Sequence, residues 1–103
     1  MHVQELFESN KIPYTVPPEI DGVDFVGDYD PETKTAHIGS IVSSQAGSGR
    51  QAVQAFEKWA REMGALSIRG EATPASIIFW HKMGFRDRNR GERLIPIWKM
   101  LTS

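Results

Sequence analysis

The chain contains no cysteine. Disulfides, thiolate nucleophiles and cysteine-ligated metals are therefore excluded, and the absence fits a reducing compartment. No apolar run approaches the ~18 residues that a membrane-spanning helix needs. The first residues, Met1-His2-Val3-Gln4-Glu5, lack the charged-then-apolar pattern of a secretory signal. A soluble, cytoplasmic protein is the expectation. Net charge is nearly absent too, at −1, so nothing global draws the chain to nucleic acid or a membrane surface. There are no internal repeats and no low-complexity linker.

What is present fits one domain over residues 1–103, with a small hydrophobic core drawn from a 40% apolar share. The charge is uneven. Residues 1–34 hold eight acids and two bases, and residues 35–103 hold ten bases and five acids. Such a split suits two surfaces with different ligands, although ordinary solvated faces produce it as well.

Residues 1–12 read as a short helix or, equally, as a strand. Pro13, Pro17 and Pro18 make the next segment extended and irregular. Val23, Phe25 and Val26 mark a strand over 22–29. Asp28-Tyr29-Asp30-Pro31-Glu32-Thr33-Lys34 marks a turn, and Thr35 to Ser43 a second strand, so an antiparallel hairpin is predicted. Val53, Phe56, Ala60 and Met63 recur at helical spacing from about Arg50, with Ala52 and Trp59 widening the stripe, and Gly64 stops the helix. Leu66 to Gly70 is a short third strand, parallel to the second after the helical crossover. Thr73-Pro74 opens a second helix that runs through Ile77, Phe79, Trp80 and Met83 to Gly84. Arg86, Arg88, Arg90 and Arg93 lie in a charged loop or hairpin. Leu94 to Leu101 is the last strand, with Pro96 favouring an edge or bulge. The order β-β-α-β-α-β describes an α/β sheet with helices packed on it.

One stretch organises the rest: Ser43-Ser44-Gln45-Ala46-Gly47-Ser48-Gly49-Arg50-Gln51. A strand feeds a glycine-rich turn that opens a helix. Small residues admit a ligand close to the backbone, and the first helical N–H groups have no intrahelical partner. The geometry suits a phosphate or pyrophosphate; it also suits a tight connection that binds nothing.

Two segments together resemble the GNAT family, the Gcn5-related N-acetyltransferases. The family's turn reads Arg/Gln-x-x-Gly-x-Gly/Ala, and this chain offers Ser44-Gln45-Ala46-Gly47-Ser48-Gly49. Thr73-Pro74-Ala75-Ser76-Ile77-Ile78-Phe79-Trp80-His81-Lys82-Met83-Gly84-Phe85 is similar to the later signature Asn-x-x-Ala-x-x-Phe-Tyr-x-x-x-Gly-Phe. The spacing, with one strand between, also matches, and the resemblance covers Val23 to Leu101. It implies a mixed α/β sheet with splayed central parallel strands and two main helices. The strand and helix pair that usually precede them in the family are missing.

The resemblance further implies an acetyl-coenzyme A site. Backbone groups near Ile41, Val42 and Ser43 would hold the pantetheine arm as an added strand would. Amides of Gln45, Ala46, Gly47, Ser48, Gly49 and Arg50 would cradle the pyrophosphate without a metal. Thr73 stands at the common asparagine position, and Ser76 is placed to reach the pantetheine or sulfur. Trp80 stands where many members place a tyrosine that protonates the departing thiolate; an indole N–H donates but is not a usable acid. Ser44 replaces the usual arginine or glutamine. His37 matches the place of a glutamate general base in histone-acetylating relatives, and an imidazole with a free pKa of ~6.5 suits taking a proton from an amine. Glu71, after the third strand, is placed to orient the acceptor amine or act through a water. Each has a plainer reading: a half-exposed strand histidine, a solvated carboxylate, a helix-start serine and a core tryptophan.

The activity so implied is transfer of an acetyl group from acetyl-coenzyme A to a primary amine by direct attack, with a backbone N–H near Val42 stabilising the oxyanion. Asp21, Asp24, Asp28, Asp30 and Glu32 would attract a cationic acceptor, either a small amine or a protein lysine or N-terminus. A short chain of this kind would borrow a wall from a second copy or dock a large protein on an open cleft. Two alternatives stand beside it: a coenzyme A-binding module without turnover, and an acetyltransferase of aminoacyl-tRNA that uses the arginine loop. Near-neutral charge and the absence of interleaved aromatics argue against nucleic acid.

Overall fold

Alternating burial along two neighbouring segments builds the centre of the molecule. It is seen in a computed structural model that describes residues 10–45, 47–88, 91 and 93–101. Strands β2 (Val23–Asp30) and β3 (Thr35–Ser43) pair antiparallel, as the hairpin pattern predicts. Between them Lys34 takes a φ of 55°, and the Asp30 carboxylate accepts the Glu32 amide at 3.0 Å. A two-residue strand β1 (Ile12–Pro13) lies on the outer edge of β2. The sequence left that segment irregular because proline obscured it; the other reading, a helix or strand over 1–12, falls mostly on residues 1–9, which lie outside the described residues.

Helix α1 (Ser48–Met63) begins two residues before the expected Arg50 and ends at Gly64, whose φ is 94°. The Ala65 amide bonds back to the Ala60 carbonyl at 2.9 Å, closing the helix with a residue that only glycine supplies without strain. Strand β4 (Ser67–Ala72) returns parallel to β3. It runs two residues past the expected end because Glu71 and Ala72 still pair with the last strand. The second helix does not start directly at Thr73-Pro74: a 3₁₀ turn (Pro74–Ser76) precedes helix α2 (Ile77–Lys82). Strands β5 (Arg86–Asp87) and β6 (Ile95–Met100) then form a hairpin, and the sheet order is β1-β2-β3-β4-β6-β5. No helix among the described residues is long and apolar enough to cross a membrane.

Cross-strand pairing fixes which side chains share a face. Tyr29, Ala36, Ile68 and Lys99 form one row, and Asp28, His37, Arg69 and Trp98 the neighbouring row on the other face. The first face carries both helices. Ala52, Val53, Phe56 and Ala60 of α1 are buried there, with Phe56 at 5.0 Å from Tyr14, 4.9 Å from Phe25 and 5.5 Å from Trp59 between ring centroids. Gly27 lets α1 lie this close: a Cβ there would sit 2.8 Å from Phe56 and 2.9 Å from the His37 carbonyl. Lys99 joins the layers, since its Nζ lies 2.6 Å from Glu57 of α1 and donates to the Met83 carbonyl at the end of α2 at 2.9 Å.

Candidate functional site

The site follows from an interruption in the sheet. Strands β3 and β4 share three parallel rungs, Thr35 with Ser67, Ala36 with Ile68 and His37 with Arg69, and then part although both continue. The cause is visible on the other side of β3. Val26 pairs with Ser40 while Gly27 pairs with Ile38, so Gly39 is an extra residue. Such a bulge bends its strand and sharpens the local twist, here carrying β3 away from β4. Gly70 serves the apex, where a Cβ would meet the Ile38 carbonyl oxygen at 3.3 Å.

The parted strands frame a cleft of about 420 Å³, within the usual range for a small-molecule site. Ile38, Gly39, Ser40, Ile41 and Ser43 supply one wall, Glu71 and Thr73 the other, with Ser76, Phe79 and Trp80 of the second helical segment and Gly49 of α1 completing it. Beyond His37 no strand among the described residues pairs with the β4-side backbone edge of β3, so an extended ligand can bond there. A second hollow of about 450 Å³ shares Ser43, Gly49 and Phe79 with the first and adds Gly47, Arg50, Lys82 and Met83. The two adjoin along those shared residues, and both are mostly apolar; the second also brings two cations, Arg50 and Lys82, to the first turn of α1.

The turn between β3 and α1 is held from within. Gly47 at the helix start takes a φ of 82°, and the Ser44 amide donates to the Gly22 carbonyl at 2.7 Å. The Ser43 hydroxyl donates to the Gln45 carbonyl at 2.9 Å and the buried Ser48 hydroxyl donates to the same oxygen at 2.8 Å, while the two hydroxyls also touch each other. The Ser48 hydroxyl also lies 3.4 Å from the Gly22 carbonyl oxygen, so two protons serve four contacts and are shared among them. Gln45 lays its side chain against Gly22. The amides of Gly49 and Arg50 sit in the first helical turn, where a helix has no acceptor of its own. Gly49 leaves the mouth open, as a Cβ there would meet only Ser43 at 3.5 Å or more.

The remaining sequence-derived residues fall in distinct places. Glu71, Thr73, Ser76, Trp80, Ile41, Ser43 and Gly49 meet in the cleft. Ser76 is engaged with its own turn: its Oγ accepts the Thr73 amide at 3.2 Å and donates to the Thr73 carbonyl at 3.1 Å. Trp80 is 4% exposed and packs edge-on to Phe79 and Phe85, at 5.0 and 5.1 Å between centroids, so it is both core and cleft wall. The Val42 side chain is 63% exposed and points to the opposite face, leaving only its backbone beside the cleft. His37 also faces that side, at the last rung before the strands part, with Nδ1 3.4 Å from Asp28 Oδ1. Ala46 lies outside the described residues. Ile38, Gly39, Ser40, Lys82 and Met83 line the site without having been singled out by the sequence, and Phe79, weighed there beside Trp80, lines it as well. The glycine inside a strand pattern was the available sign for Gly39.

Two ionisable groups among the described residues are shifted. Burial pushes the Tyr14 phenol up; its oxygen sits in the aromatic cluster without a hydrogen-bond partner, away from the cleft. Burial also pulls the Glu57 carboxyl upward, but the bonds and charges of Lys99 and then Arg61 outweigh it and hold it below its ordinary value.

No family model and no curated protein matches the chain. Solved structures do match. The Bacillus subtilis acetyltransferase in complex with CoA aligns with a TM-score of 0.70 at 16% identity, over 97% of this chain and 83% of that one. An acetyltransferase from Bacillus cereus ATCC 14579 aligns with a TM-score of 0.70 at 19% identity, over 88% and 73%. Tetrahymena Gcn5 aligns with a TM-score of 0.64 at 11% identity, over 79% and 61%. The chain spans 64% of the length of a Lactobacillus plantarum protein of the same fold, with a TM-score of 0.68.

Proposed function

The chain has the GNAT fold, and from that premise we propose that it binds acetyl-coenzyme A in the cleft between β3 and β4 and transfers the acetyl group to a primary amine. The observation that carries the reading is that an apolar slot along the open edge of β3 adjoins a hollow at the start of α1 that Arg50 and Lys82 line. A thioester-bearing arm requires the first and a diphosphate the second. The chain's own groups fit these parts. The β3 backbone from Ile38 to Ser43, including the groups of Ile41, Val42 and Ser43, offers donors and acceptors to an extended chain. The amides of Gly49 and Arg50, with the Arg50 side chain, offer bonds to phosphate oxygens that are charge-assisted and need no metal. Gln45, Ala46, Gly47 and Ser48 shape that turn.

When bound, the cofactor supplies an acetyl thioester whose carbon–sulfur bond is exchanged for a carbon–nitrogen bond. The amine arrives from the face opposite the helices. His37 lies at the apex of the parted strands on that face and takes the proton of the amine at Nε2. Asp28 stands at Nδ1 and orients the ring; such contacts are often loose before the reactants are in place. Glu71, exposed on the cleft wall, holds the incoming ammonium. Asp24, Asp28 and Asp30 share that face and favour a cationic acceptor. Thr73 and Ser76 fix the start of the second helical segment, and Trp80 excludes water from the reacting carbon.

Calorimetry with acetyl-coenzyme A, with thiol release measured over a panel of amines, tests the reading. Binding and release with at least one amine support it; absence of binding refutes it. Trp80, which provides no acid for the departing thiolate, favours a second reading as a binding module without turnover. Binding with no acetyl transfer to any amine selects that alternative.

A further inference from the structure

The sheet face opposite the helices carries arginines that the proposed reaction does not use. Strand pairing places Asp28, His37, Arg69, Trp98 and Arg86 in one row across it, from β2 to β5. Asp87 turns the other way, to His81 of α2 at 3.0 Å, so Arg86 and Arg88 on either side of it stand on the open face. The Arg88 amide donates to the Pro96 carbonyl at 3.2 Å, which sets Arg88 level with Glu71. Arg69, Arg86 and Arg88 are exposed, and none has an ion-pair partner among the described residues. The face therefore divides by strand. Asp24, Asp28 and Asp30 stand on β2. Glu71 stands at the seam where β3 and β4 part, and the arginines outnumber it from β4 to β5.

We propose that the acceptor is a polypeptide, with the reactive lysine between a basic residue on one side and an acidic residue on the other. This deepens the acetyl transfer read above and rests on it. The lysine amine enters the seam, with Glu71 as its counter-ion and His37 as its base, and its four-carbon stem leaves the backbone on the face. The acidic residue lies over Trp98, where Arg69 and Arg86 flank it from the two neighbouring strands. The basic residue lies over β2. There Asp24 lines a hollow of about 240 Å³ with Gly22, Val23, Val42 and Ser44, which gives a long stem room and its charge a partner.

Span selects a polypeptide. Three strand spacings of ~4.8 Å separate β2 from Trp98 on β6, or ~14 Å, with the seam near the middle. An extended chain covers that in about four residues, so the basic and acidic residues fall two positions to either side of the lysine. A small zwitterion reaches one end only, and an N-terminal amine has no residue to offer the other. Between the charges the face exposes Val26 and Val42, apolar surface suited to a chain lying across it.

Labelled peptides of about nine residues test this on the full chain, with docking read by fluorescence anisotropy and transfer by thiol release from acetyl-coenzyme A. Each has a central lysine. Two carry arginine two positions to one side and glutamate two positions to the other, in opposite orders; the rest have neutral, doubly basic or doubly acidic flanks. One mixed order should bind at least about ten-fold more tightly than the neutral peptide, with the gain in KM and fading as salt rises. In Arg69→Glu with Arg86→Glu, both exposed, the preference should pass to the doubly basic peptide. Equal binding of mixed and neutral peptides overturns the proposal. So does a preference that the double reversal leaves in place, or transfer to 6-aminohexanoate with none to any peptide. Docking of a mixed peptide without thiol release upholds the peptide site and refutes the transfer instead.

Discussion

The close approach of α1 to the hairpin predicts the effect of one methyl group. In Gly27→Ala the new Cβ lies 2.8 Å from Phe56 Cε1, 2.9 Å from the His37 carbonyl oxygen and 3.0 Å from Phe25 Cε1. None of these is the free end of a flexible chain. Phe56 is fully buried and wedged among Tyr14, Phe25 and Trp59, and the carbonyl belongs to the strand pair itself. The helix must therefore lift by several tenths of an ångström. Overpacking of this kind costs about 1–3 kcal/mol, a large part of the ~5–15 kcal/mol that holds a domain together. The midpoint of thermal unfolding should fall by about 4–8 °C per kcal/mol. Because α1 carries Gly49 and Arg50 to the mouth of the cleft, coenzyme A affinity should fall as well. Phe56→Leu removes one of the three contacts, so the double variant should lose less than the sum of the singles, by at least ~0.5 kcal/mol. Urea unfolding of the four chains measures this. A Gly27→Ala chain as stable as the parent, or strict additivity with Phe56→Leu, would refute the packing argument.

Arg50→Ala should weaken coenzyme A binding about ten-fold, the worth of one charge-assisted bond, with fold stability unchanged by circular dichroism; unaltered affinity would remove Arg50 from the site. His37→Gln should lower turnover about 10²–10⁴-fold and flatten its pH profile while coenzyme A affinity stays the same, and steady-state kinetics across pH decides between this and an idle strand histidine. Glu57, held below its ordinary 4.5 by Lys99 and Arg61 against the pull of burial, stabilises the fold above that value and stops doing so as pH falls through its folded value. The stability gap between the parent and Glu57→Gln should therefore be constant near neutrality and shrink below about pH 4.5 in denaturant titrations; a gap that widens on acidification would contradict the ion cluster.

Local signals made much of this legible in the sequence. The hairpin, α1 and the glycine turn each follow from neighbouring residues: Asp30-Pro31 for the reversal, Val53, Phe56 and Ala60 for the buried stripe, Gly47 and Gly64 for the two helix ends. The parallel return of β4 follows from the handedness of the crossover. Features that depend on residues far apart were harder to read. Nothing near Lys99 announces that it reaches Glu57 and Met83, or that β6 inserts between β4 and β5. Phe79 and Lys82 reach the cleft because of how α2 is set against the sheet, which helical periodicity does not encode. His37 is where the sequence placed it, yet its side of the sheet follows only from the rungs to Asp28 and Arg69.

The extra residue at Gly39 separates the fold from its slot. Excising it would leave Gly27 opposite Ile38, Val26 opposite Ser40 and Phe25 opposite Ile41, the same partners and the same inward side chains as now. The ladder would simply run on, and β4 could close against β3 to its end. The scaffold and its vacancy are thus specified apart: some hundred residues write an ordinary sandwich of sheet and helices, and a single glycine opens the seam in it.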